Sequence, residues 1–283
     1  MTENLRKVVK NAAVNSELEN KKISDETIRM IEQCLKTENG SLMFQIYLKT
    51  TNNMENVIEE EVKSCKTSKY CYENGVLKNN KGIKNLTLLH IVDSDSAAYY
   101  QSRIVSGYSD YKFDFSVNNY LNLHKELFGE VYPFAGEIRN ELIYKSCRPY
   151  LDRTTPFCMP QFIYDNLKEV LSKMKRDIVN IKTREELVNY LGYYYGELNM
   201  IHPFREGNGR TLRTYLLLLV NECSKYFSFG EFELDYTNLL DTDKEELIKA
   251  TIINSVNGDY KGIAEFFDII LVQKNSKMRT KCK

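Results

Sequence analysis

Apolar residues recur at intervals of three and four along most of the chain, and this spacing predicts a largely helical protein. Leu5, Val8, Val9 and Ala12 share one face of a first helix, which we expect over residues 4 to about 20. Further helical patterns predict helices at about 97–105, 117–128, 161–174, 184–199, 209–227, 242–255 and 260–272.

A second N-terminal helix is predicted to begin after Ser24, whose hydroxyl can cap the free N–H groups of the first turn. Ile23 precedes this cap in the position of a hydrophobic staple. The helix is expected to run to about residue 36, with Gly40 as the glycine that follows its C-terminus. Residues 1–40 would then form an α-hairpin that is too small to be stable alone, so it must dock on another part of the chain.

Two regions depart from the helical pattern. Residues 41–89 are hard to interpret, although 57–62 suggest a short helix. Residues 140–160 contain three prolines and short β-branched or aromatic runs, which indicate a β-hairpin. The chain is therefore expected to be all-α with one small hairpin.

Composition narrows the function classes. Lysine plus arginine equals aspartate plus glutamate, at 39 each in 283 residues, which argues against a nucleic-acid binder that acts through bulk charge. The seven cysteines never form a Cys-x-x-Cys pair, so we expect reduced thiols and no zinc cluster. No apolar run approaches the roughly 18 residues of a membrane span, and the N-terminus has no export signal. A cytoplasmic protein with no membrane partner is expected.

One short stretch combines two glycines with two arginines. Gly207, Asn208 and Gly209 form a turn just before an apolar helical run, and the free N–H groups of a helix N-terminus favour phosphate. Arg210 and Arg213 are three residues apart, so they share a face of that helix. The stretch predicts an anion site in a turn between two helices.

A base and a carboxylate flank this turn. His202 can accept a proton near neutral pH, and Glu206 can hold a cation. Two common phosphate motifs do not fit. The chain has no Gly-Lys pair for a Walker loop, and Leu212 stands where a dinucleotide fingerprint needs its third glycine.

The stretch from His202 to Arg213 resembles the signature of the Fic family, His-x-Phe-x-(Asp/Glu)-Gly-Asn-Gly-Arg-x-x-Arg, at every specified position. Residues 127–139 also resemble the segment that precedes the active site in Fic proteins. The resemblance covers about residues 90–272. It implies a Fic-type helical bundle with a small β-hairpin flap over the active site.

The resemblance implies transfer of AMP from ATP to a serine, threonine or tyrosine hydroxyl of a protein target, which could be the chain itself. His202 would be the catalytic base, and Glu206 would bind Mg²⁺. The N–H groups of residues 207–209 would hold phosphate oxygens. Arg210 would pair with the α- and β-phosphates and Arg213 with the γ-phosphate.

The flap is implied to hold the target by strand addition, through Thr154, Thr155 and Phe157. Kinases of the related Doc type replace the second glycine of the turn with lysine and lose the γ-phosphate arginine. Because this chain keeps Gly209 and Arg213, the AMP-transfer orientation is expected. Transfer of another nucleotide or of phosphocholine stays open.

The N-terminal hairpin contains part of an inhibitory motif of Fic proteins, (Ser/Thr)-x-x-x-Glu-(Gly/Asn). Glu19 and Asn20 fit its end, whereas Asn15 stands where serine or threonine is expected. The hairpin resembles the small antitoxin partner of some Fic toxins, fused here to the same chain. Glu19 would pair with Arg213 and keep ATP from binding productively. A solvated acidic face is the alternative interpretation.

The resemblance divides the chain into an inhibitory hairpin at 1–40, a connecting region at 41–89, a Fic domain at 90–272 and a basic tail at 273–283. Two alternative functions stay open at the level of the sequence. One is hydrolytic removal of AMP, alone or in a bifunctional enzyme. The other is a nucleotide-sensing or protein-binding module without turnover.

Overall fold

The computed structural model describes residues 2–51 and 68–274, and the regular structure within these ranges is helical apart from short strands. The helix suggested at 57–62 and the tail beyond Lys274 lie outside the described residues. The α-helices are α1 (Thr2–Glu17), α2 (Asp25–Cys34), α3 (Gly40–Thr51), α4 (Leu86–Val105), α5 (Val117–Phe128), α6 (Ile163–Asp177), α7 (Arg184–Ile201), α8 (Asn208–Cys223), α9 (Asp241–Asn257) and α10 (Lys261–Ile270).

Helices α1 and α2 form the N-terminal hairpin (residues 2–34). The cap predicted for α2 is confirmed, because the Ser24 hydroxyl accepts a hydrogen bond from the Thr27 N–H at 3.1 Å. The hairpin and α3 pack on α4 around a small separate core, in which Phe44 of α3 stacks on Tyr99 of α4 with ring centroids 4.3 Å apart. The expectation that the hairpin docks on the rest of the chain is confirmed.

Gly40 does not follow the second helix as predicted. Helix α2 ends at Cys34, and Gly40 is the first residue of α3, a helix that the sequence pattern did not show. A Cβ atom at Gly40 would lie 1.8 Å from the Cys34 carbonyl oxygen. The glycine is therefore required by the close approach of two backbone segments, and not by a helix-ending conformation.

Helix α4 begins at Leu86, eleven residues before the predicted start at residue 97. Its middle carries a polar run, Asp93 to Ser96, that hides the helical pattern in the sequence. All four of these side chains are buried in the structure. Since buried polar groups need partners, this run marks a place where α4 faces other polar residues.

The main core lies among α4 to α8 and α10, below the loop that joins α7 to α8. Helix α7 packs closely along α10, because a Cβ atom at Gly192 would come within 2.8 Å of the Ala264 backbone. This packing fixes α7, which ends directly before the predicted catalytic histidine.

The predicted β-hairpin is confirmed as strands β1 (Tyr144–Ser146) and β2 (Thr154–Pro156), which pair antiparallel with Lys145 opposite Thr155. A second small sheet was not predicted. Strand β3 (Phe232–Leu234) pairs with β4 (Leu271–Gln273), so the last helix ends at Ile270 and not at residue 272. The apolar run there fits either a helix or a strand, and pairing with β3 decides between them.

No described helix is long and apolar enough to cross a membrane. Each described cysteine is a free thiol, as expected, namely Cys34, Cys71, Cys147, Cys158 and Cys223. Cys65 and Cys282 lie outside the described residues.

Candidate active site

The loop between α7 and α8 contains two residues in the left-handed conformation. His202 follows the last residue of α7 with φ 47° and ψ 61°, and Gly207 precedes α8 with φ 76°. Helix α8 then begins at Asn208. The predicted turn between two helices is confirmed. The first turn of α8, whose N–H groups have no partner within the helix, directly follows this loop.

The loop is closed by the side chain of Asn208. Its amide oxygen accepts a hydrogen bond from the Phe204 N–H, and its amide nitrogen donates to the Phe204 carbonyl, both at 2.8 Å. Phe204 is fully buried, as the sequence predicted, and stacks on His124 with ring centroids 3.7 Å apart. The loop therefore has one rigid arrangement, set by buried groups.

His124 of α5 supports the loop from below. Its Nδ1 accepts a hydrogen bond from the Gly136 N–H at 2.8 Å, so its Nε2–H donates to the Glu206 carbonyl at 2.9 Å. Burial lowers the pKa of His124 to about 3, so the imidazole is neutral at pH 7. This histidine has a structural role, as expected from its type and position.

His202 presents one ring nitrogen, Nε2, that has no hydrogen-bond partner among the described residues. Its Nδ1 lies 3.1 Å from the Asn199 carbonyl and donates to it, which leaves Nε2 able to accept a proton. The Phe157 ring stacks on the His202 ring, with their centroids 3.8 Å apart. Burial, helped by the charges of Arg139 and Lys145, lowers the pKa of His202 to about 3. The imidazole is thus neutral and oriented, as a general base must be.

Arg210 is almost fully buried and lies between carboxylates. Its Nε donates to Glu19 at 2.9 Å, and its Nη2 donates to Asp93 at 2.8 Å. The guanidinium carbon lies 4.6 Å from the centre of the Phe128 ring. Its Nη1 has no hydrogen-bond partner among the described residues, so this buried donor can still donate a hydrogen bond to an anion.

Arg213 is engaged entirely by residues around it. Its Nε donates to the Asn15 side chain, and its Nη2 donates to the Asn15 carbonyl at 2.9 Å and to Glu19 Oε1 at 3.1 Å. Its Nη1 lies 3.4 Å from the Tyr195 hydroxyl. The predicted pairing of Glu19 with Arg213 is present, and Glu19 pairs with Arg210 as well.

Glu19 lies in a turn beyond the end of α1, not within the helix predicted over residues 4 to about 20. The next residue, Asn20, has φ 59°, a conformation that glycine and asparagine adopt most easily, which explains why the motif ends in one of these two. A Cβ atom at Gly209 would lie 2.5 Å from Glu19 Oε1. The glycine therefore allows the carboxylate to approach the start of α8.

Glu206 contacts a residue that sequence reasoning missed. The Lys21 ammonium lies 2.9 Å from Glu206 Oε1 and 2.6 Å from Asp93 Oδ2. Although burial opposes the charged form, Lys21 and Arg210 hold the pKa of Glu206 well below its usual range. The only sequence feature that could have indicated this contact was the position of Lys21 directly after Glu19 and Asn20.

Comparison with known proteins identifies the family to which this loop belongs. Residues 114–220, which include α5, the β1–β2 hairpin, α6, α7 and most of α8, match the Fic/DOC family. Residues 114–220 form a Fic/DOC domain. The His202 loop lies inside this match, and the N-terminal hairpin lies outside it.

Two curated relatives are named as protein adenylyltransferases. The chain is 33% identical over 162 residues to protein adenylyltransferase VbhT of Bartonella schoenbuchensis, covering 57% of the chain and 32% of that protein. It is 28% identical over 195 residues to "Probable protein adenylyltransferase y4lH" of Sinorhizobium fredii, covering 67% and 88%. The chain therefore spans about a third of VbhT and most of y4lH.

Solved Fic structures share the fold. BepC of Bartonella tribocorum, crystallised with AMPPNP, aligns with a TM-score of 0.60 at 18% identity, over 72% of this chain and 97% of that one. The N-terminal Fic domain of Bep8 from Bartonella sp. 1-1C aligns with a TM-score of 0.59 at 22% identity, over 74% and 96%. At these identities the likeness establishes the helical Fic fold.

The β1–β2 hairpin lies where the resemblance to Fic proteins predicts the flap. Thr154 and Thr155 lie on β2, with Thr154 exposed and opposite Ser146. Phe157 follows β2, is buried, and contacts the His202 ring rather than solvent. Thr154 has the exposure that a docking strand needs, whereas Thr155 is half-buried, and a docking role for these three residues stays a prediction.

The carboxylates of the Fic site fit a hard cation. Glu206 Oε1 and Asp93 Oδ2 both lie within hydrogen-bond distance of one ammonium group. No cluster of three or more metal-binding side chains occurs in the part of the chain that the structure describes. This arrangement suits Mg²⁺, which is commonly held by one or two carboxylates together with substrate phosphates.

Proposed function

We propose that this chain is a protein adenylyltransferase that moves AMP from ATP to a hydroxyl group of a protein, and that its N-terminal hairpin inhibits the transfer. One observation carries the proposal. A neutral, oriented histidine with a free Nε2 shares one loop with a helix N-terminus and two buried arginines. The names of the relatives and the AMPPNP bound to BepC support the same chemistry.

In the proposed reaction a serine, threonine or tyrosine hydroxyl of the target attacks the α-phosphorus of ATP. His202 Nε2 accepts the hydroxyl proton as the new O–P bond forms. The bond between the α-phosphorus and its bridging oxygen breaks, and pyrophosphate leaves. The hydrogen bond from Nδ1 to Asn199 fixes the tautomer that makes Nε2 the acceptor.

The N-terminal turn of α8 and the two arginines bind the phosphates in this proposal. Arg210 is well placed because its Nη1 is buried without a partner and points to no described acceptor. Donors that are fixed before the substrate arrives stabilise developing charge without reorganisation. Mg²⁺ on Glu206 would offset the negative charge of the pyrophosphate as it leaves.

The inhibition follows from the contacts of Arg213. Glu19 and Asn15 together take two of its three nitrogen atoms, so a γ-phosphate cannot form the same bonds while the hairpin is docked. The Glu19 carboxylate would also repel the triphosphate. We propose residues 1–40 as the inhibitory unit and 90–272 as the catalytic unit, with 41–89 connecting them and 273–283 as a tail.

Labelled ATP tests the proposed function. Glu19→Gly protein, incubated with Mg²⁺ and a bacterial lysate, should incorporate label from α-³²P-ATP and none from γ-³²P-ATP. Label from γ-³²P-ATP would indicate a kinase. No label from either would favour a binding module, and loss of label from a pre-modified protein without ATP would favour the hydrolytic alternative. The variant His202→Ala under the same conditions is the negative control.

A further inference from the structure

Lys21 occupies a position that its sequence context did not predict. Its side chain is nearly buried, with 8% exposed, and its ammonium bridges Asp93 of α4 and Glu206 of the Fic loop. Asp93 is completely buried, and its second oxygen, Oδ1, has no hydrogen-bond partner among the described residues. Two carboxylates from distant parts of the chain therefore converge on one cation supplied by the N-terminal hairpin.

The charges of the site divide into two groups. Glu19 pairs with the arginines that would bind phosphate, whereas Lys21 pairs with the carboxylates that would bind a metal, and Arg210 contacts both groups. Glu19 and Lys21 are separated by one residue, so a single turn of the hairpin carries both charges. Its arrangement of an anion beside a cation matches that of a metal–nucleotide complex.

From this geometry we infer that Asp93 and Glu206 form the cation site of the enzyme, and that Lys21 fills it when the hairpin is docked. Asp93 would then be a metal-binding residue outside the Fic signature. Lys21 would exclude the metal while Glu19 excludes the γ-phosphate. The inference that the metal binds together with ATP rests on the proposed function. The inference that a cation site exists depends only on the geometry of the two carboxylates.

Desolvation explains why Lys21 excludes a metal effectively. Asp93 and Glu206 also pair with Arg210, at 2.8 and 3.4 Å. One arginine does not neutralise two carboxylates, and a poorly solvated carboxylate that loses a cation is destabilised, so the pair retains Lys21 until another cation replaces it. While Lys21 is in place, a divalent ion must displace a tethered competitor whose local concentration is high. Undocking of the hairpin removes this competitor and leaves both carboxylates open to a metal.

Mn²⁺ binding, followed by the electron paramagnetic resonance signal of the free ion, tests the inference without any transfer reaction. Lys21→Met should bind Mn²⁺ at least about tenfold more tightly than the wild type. Lys22→Met is the matched control, since Lys22 is the exposed neighbour and its loss should leave the affinity unchanged. Each titration is repeated with an ATP analogue that carries a methylene group between the α- and β-phosphates.

The double variant Lys21→Met, Asp93→Asn tests the second carboxylate, and it should lose most of the gain in affinity. Equal Mn²⁺ affinity in wild type and Lys21→Met would overturn the role of Lys21. A gain that persists in the double variant would overturn the role of Asp93. If Lys21→Met does not fold, Lys21→Gln keeps a hydrogen-bond donor for the carboxylates and is measured in the same way.

Failure of this inference is distinct from failure of the proposed function. If Lys21→Met binds Mn²⁺ tightly but Glu19→Gly transfers no AMP, the cation site stands and the adenylyltransferase proposal falls. If AMP transfer occurs but Mn²⁺ affinity is insensitive to Lys21, the reverse holds. Mn²⁺ should also raise the melting temperature of Lys21→Met more than that of the wild type, because binding stabilises the folded state.

Discussion

Glu19 Oε1 lies 3.1 Å from Arg213 Nη2, although the two residues are 194 positions apart in the chain. The contact joins the N-terminal hairpin to the helix that carries the Fic arginines. Arg213 is buried and keeps a positive charge, so it requires an anionic or strongly polar partner in every state of the protein. The hairpin provides that partner now, and the γ-phosphate of ATP would provide it in the active state.

Removing the Glu19 carboxylate should activate the enzyme. Glu19→Gly removes the carboxylate that pairs with Arg213 Nη2 and takes a negative charge out of the site, so that a γ-phosphate competes for Arg213 only with the neutral Asn15. Coupling between two sites of a protein is typically about 1–3 kcal/mol, or about 5–150-fold in equilibrium. We expect the initial rate of AMP incorporation from α-³²P-ATP to rise at least about tenfold.

Glu17→Gly is the matched control for this variant. Glu17 ends α1, two residues before Glu19, and its carboxylate pairs with Lys244 at 3.2 Å, away from the arginines. A glycine there should loosen the helix end to a similar extent without opening the phosphate site. If both variants stimulate labelling equally, a general loosening of the hairpin and not the Glu19 contact explains the activation.

His202→Ala, placed in the Glu19→Gly background, should reduce the rate of transfer by about 10²- to 10⁴-fold, the usual contribution of a general base. The affinity for ATP, measured by equilibrium dialysis, should change little because the imidazole is not expected to hold phosphate. His90→Ala is the control, since His90 is exposed. Transfer by His202→Ala at the parent rate would show that another group takes the proton.

The rate of AMP transfer should depend weakly on pH. An ordinary histidine has a pKa near 6.5, whereas burial lowers that of His202 to about 3. The imidazole therefore stays neutral between pH 8 and pH 6, and the kcat of Glu19→Gly should be flat over this range. A fall of kcat to about one half of its plateau value near pH 6.5 would show that His202 titrates normally.

The same depressed pKa values affect stability in a defined direction. His124 and His202 bind a proton in the unfolded chain below about pH 6.5, but in the folded protein only near pH 3. The unfolded state therefore binds more protons in this window, and the free energy of unfolding should fall as the pH drops from 6.5 towards 3. Urea unfolding at pH 7 and pH 5 measures the change.

The sequence predicted the features that depend on neighbouring residues. The Gly207 turn, the cap at Ser24 and the extent of α5 are all set by local chemistry, and the structure agrees with each. The predicted positions of helix ends were less accurate where tertiary contacts determine them. The close approach of Gly40 to Cys34 and the pairing of β3 with β4 each moved a predicted boundary.

The sequence could not show which distant groups share the site. Lys21 meets Glu206 across 185 positions, and Asp93 meets Arg210 across 117. Neither Lys21 nor Asp93 belongs to a recognisable motif, and lysine and aspartate are residue types that usually lie on the protein surface. Only the packing of the hairpin on α4 brings these charges together, so their role required the structure.

Gly207→Ala should destabilise the protein and weaken ATP binding. Gly207 has φ 76°, where an alanine costs about 1–2 kcal/mol, and its new Cβ would lie 2.6 Å from the fully buried Phe128 ring. Such overpacking adds about 1–3 kcal/mol, and about 1 kcal/mol corresponds to a fall of roughly 2–4 °C in the melting temperature of a protein of about 150–250 residues. The shifted loop would also misplace the first N–H groups of α8.

Gly258→Ala separates the cost of the left-handed conformation from the cost of overpacking. Gly258 has the same φ of 76°, but nothing lies within 4 Å of its added Cβ atom. Both variants lose the conformational freedom of glycine, but only Gly207→Ala meets a neighbouring side chain. We expect Gly207→Ala to melt several degrees below Gly258→Ala in the same thermal scan. Equal melting temperatures would mean that Phe128 moves freely, and the rigid support inferred for the phosphate-binding loop would then be wrong.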